Sequence, residues 1–166
     1  MVKFACISTP VLRLQNTKMK HLLLQKNTIL LLLMMEGVSY IAASEIPMVF
    51  VNVMRGGPGL GNIAPAQGDY NQMVHGGGHG DYQSIVLAPA SVQESVDLTV
   101  LAFDLAEKYR AITVVLSDGS IGQMMEPCEL PPMQPLKTTF PDWAVSGAEG
   151  RDSLFLRSIN LAPAAQ

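Results

Sequence analysis

The stretch from Met48 to Met54 (Met-Val-Phe-Val-Asn-Val-Met) runs straight into Arg55 and a loop with glycine at 56, 57, 59 and 61 around Pro58. A run that is apolar on both alternations suits a strand covered on both faces, which is the environment of a parallel sheet flanked by helices. Sheets of that class bind ligands just beyond the carboxyl ends of their strands. Arg55 stands at such an end, beside a backbone stripped of side chains. Its guanidinium is a planar fork of donors suited to a carboxylate or phosphate, and glycine lets a ligand approach the main chain. The candidate binding set is therefore Arg55, Gly56 and Gly57. A solvated arginine followed by a flexible turn is the plain alternative.

The neighbouring segments supply the rest of an α/β unit. Met34–Glu45 has helical spacing, with Met34, Val38, Ile41 and Ala42 on one face, and Pro47 stops it. Asp69 is placed to cap a short helix over residues 70–74, which His75-Gly-Gly-Gly-His79-Gly-Asp81 ends. Residues 84–88 read as a second strand and 112–117 as a third. Between them residues 91–110 form the clearest helix, opened by the capping box Ser91/Glu94. Val92, Val96, Thr99, Phe103 and Ala106 make its apolar stripe; Leu98, Leu101 and Leu105 widen it, which predicts cover on more than one side. Strand, helix, strand, helix, strand is the order of a parallel sheet with helices on both faces.

Composition excludes several classes. A net charge of −3 leaves no electrostatic footprint for nucleic acid. The two cysteines, Cys6 and Cys128, show no CxxC spacing, so the chain cannot by itself hold an iron–sulfur cluster or a Cys-rich zinc site. Sparse cysteine also argues against a disulfide framework and for a reducing, cytoplasmic setting. The apolar run Ile29–Met35 is too short to span a bilayer, which takes about 20 residues. Basic residues are spread from Lys3 to Lys26 rather than gathered at the start, which fits a secretion signal poorly.

The glycine loop fails both phosphate fingerprints. Counting from Gly57, the third glycine of a dinucleotide motif falls on Asn62, and no Gly-Lys-Ser/Thr follows for a P-loop. His75 and His79 are four apart, but three intervening glycines disfavour a shared helical face and no third ligand is evident. Asp118, at the mouth of the third strand, reads either as a ligand-facing group or as an Asx-turn; the sequence leaves both open.

Four ordered stretches carry a resemblance: MVFVNVMRGGPGLGNIAPAQGD, HGGGHGDYQSIVLAPASVQE, DLTVLAFDLAEKYR and SDGSIGQMMEPCELP. Together they resemble the alpha subunit of the 2-oxoacid:ferredoxin oxidoreductases, in particular the branched-chain (3-methyl-2-oxobutanoate, or 2-ketoisovalerate) enzymes. The likeness runs from Met34 to about Pro131, then more loosely through WAVSG and SLFLRSINLAP. It implies the pyrimidine-binding domain of a thiamine-diphosphate fold, acting with beta, gamma and delta subunits, coenzyme A, a 2-oxo acid and ferredoxin. It also implies that thiamine diphosphate and Mg2+ are shared with a partner subunit, and that iron–sulfur clusters lie only in partner subunits. Arg55 falls where the family places an arginine that grips the substrate carboxylate.

The departures from the family pattern shape the remaining expectations. Residues 1–33 hold five Lys or Arg and no Asp, Glu or Gly, so they lack the family's cofactor-activating carboxylate and its Ser-rich turn. Glu36 belongs to the following helix and does not replace that acid. The expected organisation is a poorly ordered, non-family segment at 1–33, a pyrimidine-binding domain at 34–130, and a Pro-rich linker and arm at 131–166 toward a second domain. The expected function is that of a partial subunit, inactive alone. A non-catalytic assembly module, or an inactive truncated product, is the alternative.

Overall fold

The computed structural model describes residues 24–26, 28–58, 61–78, 80–135, 138–139, 141–144, 150, 155 and 157–158. The described residues form two units, one holding the sheet and ending its main run at Leu130, the other running from Pro131 to Phe155. In the second unit Ala144 is buried and its amide donates to the Pro141 carbonyl, while Phe155 is exposed. In the arm expected at 131–166, Leu154, Leu156 and Ile159 lie outside the described residues.

The first unit is a four-stranded, all-parallel sheet in the order β1-β2-β4-β3. In chain order it contains β1 (Leu24–Lys26), α1 (Thr28–Ala43), β2 (Met48–Met54), α2 (Tyr70–Val74), β3 (Ile85–Leu87), α3 (Val92–Tyr109) and β4 (Ile112–Asp118). Side-chain alternation divides the core in two. On one face Met48, Phe50 and Met54 of β2 join Ile112, Val114 and Leu116 of β4 beneath Met35 and Val38 of α1 and Met73 of α2. On the other, Val49 and Val115 pack against Ala102 and Ala106 of α3, with Val51, Leu87 and Phe103 at the margin. The strand expectations hold, β2 to the residue.

Three expectations need correction. The first helix starts at Thr28, six residues before the amphipathic segment, and crosses position 33 unbroken, so the compositional shift there is not an element boundary. The segment set apart on composition also contributes β1, whose three residues pair with Phe50, Val51 and Asn52. Within α1 the buried face carries Met35 and Val38, whereas Met34 is half-buried.

On α3 the capping box is half formed. Ser91 Oγ accepts from the Glu94 amide at 3.1 Å, but the Glu94 carboxylate takes the Ala90 amide (2.7 Å) and not that of Ser91. The closest packing also falls on alanines. Ala102 and Ala106 are fully buried and let the helix lie low on the sheet, while the wider apolar face expected to be covered leaves Leu101 exposed. Arg110 ends the helix in the left-handed conformation (φ 51°), and its guanidinium meets Glu45 at 3.0 Å.

After β4 and a 3-10 turn at Ile121–Gln123, the chain runs back as an extended strap over the start of α3. The Gln93 amide pairs with Glu129 in both directions, Nε2 donating to its carbonyl (3.1 Å) and Oε1 accepting from its N–H (2.7 Å). Glu126 Oε2 accepts from the Val92 amide in the first turn of α3 at 3.2 Å. That amide has no intrahelical acceptor, and a carboxylate is well placed at a helix N-terminus.

Because Ala106 is fully buried between α3 and the sheet, Ala106→Leu should destabilise the domain by about 1–3 kcal/mol through overpacking, although leucine is a good helix former. Urea unfolding of the two proteins would measure it, and a neutral or stabilising leucine would show that α3 is free to lift off the sheet.

Candidate functional site

The site is built at the carboxyl ends of the two central strands. β2 and β4 are in register from Met48↔Ile112 to Met54↔Asp118, so Arg55 and Gly119 leave the sheet side by side. The glycine loop does not stand away from the sheet as a free turn. It folds back in a hairpin-like path, with Arg55 bridging Pro65 in antiparallel fashion. The Gly56 amide donates to the Ala64 carbonyl (2.9 Å) and the Asn62 amide to the Gly56 carbonyl (2.9 Å). Asn62 Oδ1 accepts from the Ala64 amide at 2.8 Å, which closes the tip. The Arg55 guanidinium joins this frame, with Nη1 donating to the Asn62 carbonyl at 3.0 Å. Arg55 is half-buried, so its charge is held in place without being withdrawn from solvent.

The glycines divide by role. Gly61 has φ 58°, and a Cβ there would run into the Gly56 carbonyl oxygen. Gly119 is buried where a Cβ would stand 3.1 Å from the Met54 carbonyl oxygen and 3.2 Å from Pro65 Cα, so it lets the returning loop lie on the strand ends. Gly57 has nothing within 4 Å of a would-be Cβ and leaves its backbone open beside Arg55. Of the sequence-derived set, Arg55, Gly56 and Gly57 thus lie together, with Gly56 turned toward Asn62 and Gly57 toward open space.

Other candidates fall elsewhere. Asp118 resolves to a turn residue, its Oδ1 accepting the Ile121 amide at 2.9 Å. His75 sits with Nδ1 2.7 Å from the Asn71 carbonyl, and His79 lies outside the described residues. Asp69 does not cap α2. Its side chain is buried and accepts from Asn52 Nδ2 at 3.2 Å. Sequence reading passed over Asn52, which hides within an apolar run. It is fully buried on the face shared by Phe50 and Met54, and its Oδ1 has no partner, a penalty of about 1–3 kcal/mol. The one available signal was the polar residue itself, alone in the centre of a strand covered on both faces. Burial pushes the Tyr82 phenol above its ordinary value, so it stays neutral at physiological pH.

A parallel sheet with helices on both faces, carrying an arginine and an open glycine backbone at the carboxyl ends of its central strands, defines an α/β domain of the kind that takes ligands at its strand ends. Residues 31–155 match the family model for pyruvate flavodoxin/ferredoxin oxidoreductase, thiamine diphosphate-binding, and the chain belongs to that family. Ketoisovalerate oxidoreductase subunit VorB of Methanothermobacter thermautotrophicus is 57% identical over 112 residues, covering 68% of this chain and 32% of that protein. 2-Oxoglutarate synthase subunit KorA of Archaeoglobus fulgidus is 49% identical over 102 residues, 61% of this chain and 29% of its own length. Among solved structures, the 2-oxoglutarate:ferredoxin oxidoreductase of Magnetococcus marinus superposes with TM-score 0.56 at 40% identity, over 60% of this chain and 17% of the other. The chain spans about a third of the length of the curated relatives it matches.

The described residues do not form a thiamine diphosphate site by themselves. Asp118 is engaged by its own turn, Asp69 is buried against Asn52, and Glu36 is exposed on α1. No group of three or more His, Cys, Asp or Glu among the described residues is placed to hold a metal ion. The crevice lined by Met35, Val38, Phe50, Met73, Gly77 and Tyr82 has a volume of about 10 Å³, room for no more than a water. What the chain does present is the Arg55 loop. No described helix is long and apolar enough to cross a membrane.

Adding a methyl group should separate the glycines. Gly61→Ala is expected to cost about 1–3 kcal/mol, because it forces a left-handed residue against a carbonyl. Gly57→Ala should stay within about 0.5 kcal/mol of the parent. Chemical denaturation of both would check this, and equal losses would contradict the loop geometry.

Proposed function

We propose that this chain contributes the pyrimidine-side domain of a 2-oxoacid:ferredoxin oxidoreductase, and that Arg55 receives the carboxylate of a branched-chain 2-oxo acid there. The observation that carries this reading is the guanidinium held at the end of β2 by the Asn62 carbonyl, beside the open Gly57 backbone. A guanidinium has five N–H donors in a fixed fork and can grip a carboxylate bidentately. Gly56 and Gly57 bring main chain rather than side chain to the rim, which leaves room for the 2-oxo group and its branched tail. Fixing the carboxylate in this way orients the adjacent carbonyl carbon toward a reacting partner, and orientation alone removes several kcal/mol from a bimolecular barrier.

The rest of the reaction belongs to the assembly. The proposed reaction is oxidative decarboxylation of the 2-oxo acid to an acyl-coenzyme A, with electrons passed to ferredoxin. Thiamine diphosphate and Mg2+ are assigned to a site shared with a beta-type partner. Iron–sulfur clusters are assigned to partner subunits of the beta, gamma and delta kind, in keeping with the two cysteines of this chain. The covalent chemistry is the cofactor's. The relatives named VorB favour 3-methyl-2-oxobutanoate over other 2-oxo acids, and the cysteine usage favours a cytoplasmic setting.

In the assembled enzyme Arg55→Ala should raise KM for 3-methyl-2-oxobutanoate by about 10- to 100-fold, the equivalent of a charged hydrogen bond worth ~1.5–3 kcal/mol. Arg55→Lys should recover only part of that, because the fork is lost. Unchanged steady-state constants in both variants would remove Arg55 from the site. The purified chain alone, given thiamine diphosphate, Mg2+, coenzyme A and 3-methyl-2-oxobutanoate, should not reduce a viologen dye. Reduction above a protein-free control would overturn the division of labour.

A further inference from the structure

We propose that Asn52 and Asp69 are a positioning pair for Arg55: their buried hydrogen bond ties the far end of the 55–69 loop to the strand that ends at Arg55. This rests on the carboxylate-binding reading above. The hydrogen bonds at Gly56, Asn62 and Ala64 fix the loop's internal shape, but all of them lie within the loop. They hold it as one piece without saying how that piece sits on the sheet. Pro65 rests on Gly119, a contact that limits how close the loop comes but not where it slides.

Asp69 is the first residue past this hairpin-like path whose side chain reaches into the sheet, and it meets Asn52, three residues before Arg55 on β2. The two ends of the loop are thereby anchored to one strand. Because Arg55 Nη1 bonds the Asn62 carbonyl, a displaced loop carries the guanidinium with it.

The pair is poorly chosen for stability alone. Asn52 lies between Phe50 and Met54 on an apolar face, opposite Leu116 in the ladder, where a leucine would continue the layer. It is fully buried with Oδ1 unpartnered, and Asp69 is only 6% exposed. A polar pair kept in such a place at a cost to stability is expected where a site depends on it.

Asn52→Leu removes the tether by taking its donor away. Because the buried Asp69 carboxylate loses that donor, the full chain carrying it should melt lower than the parent whichever role the pair has, and exchange and KM separate the two roles. Its amides at Gly56, Asn62 and Ala64 should exchange hydrogen roughly tenfold faster, as expected for a loop released to open locally. In the assembled enzyme, KM for the 2-oxo acid should rise roughly tenfold or more, the scale of a misplaced binding group. Adding Asn52→Leu to Arg55→Ala should produce no further rise, because the pair acts through that arginine. Asp69→Asn, made alone, keeps an acceptor oxygen for Asn52 and should retain most of the parent's protection.

A lower melting point with unchanged exchange and KM would make the pair structural only and overturn the proposal. So would KM effects of Asn52→Leu and Arg55→Ala that multiply. If Arg55→Ala leaves KM unchanged, the carboxylate reading fails, and the exchange measurement still decides whether the pair holds the loop.

Discussion

Seven consecutive residue pairs join β2 to β4, from Met48↔Ile112 to Met54↔Asp118, so the two central strands end level. A slip of one residue would exchange the two faces of β2, turning Phe50 toward α3 and Val49 toward α1. It would also carry Arg55 away from Gly119, whose missing side chain is what lets Pro65 and the returning loop lie across the strand ends. Register is thus specified from both faces by core packing, and the position of Arg55 and its loop follows from it. The helices fill the two sides unequally, large side chains on the face of α1 and alanines on the face of α3.

What could be read in the sequence follows from how local each signal is. β2, β4 and α3 were legible because burial on both faces, a 3.6-residue period and a serine cap leave marks within a few residues of one another. The place of Arg55 and its glycines at a strand end was legible because a charge at the end of an apolar run is conspicuous. The beginnings of α1 and the existence of β1 were not, since an apolar run such as Ile29–Met35 looks alike in a helix, a signal segment or a strand. Composition changed at residue 33, but backbone hydrogen bonding ignores composition.

The acidic residues that were misread or left open share a cause. Asp69 has the chemistry of an N-cap and stands at a helix start, yet its carboxylate turns inward because Asn52, 17 positions earlier, offers a buried donor. Asp118 faced the same ambiguity, and the local partner, the Ile121 amide, won. Glu94 reached one residue beyond its expected target. In each case sequence names a competent acceptor and only the fold says which donor arrives. The family likeness holds over residues 31–155.

The strap after β4 has a bearing on solubility. It displays Met125 and Leu130, both exposed, on an extended backbone, the combination that ordinarily recruits a neighbouring chain into a growing sheet. Here Pro127 and Pro131 withhold amide donors, and the Glu129 amide and carbonyl are both taken by Gln93, whose side chain stands in for a neighbouring strand. Between the two prolines the main-chain groups of Glu129 are already paired. The apolar side chains of the strap stay exposed, while its backbone offers an intruder fewer groups to pair with.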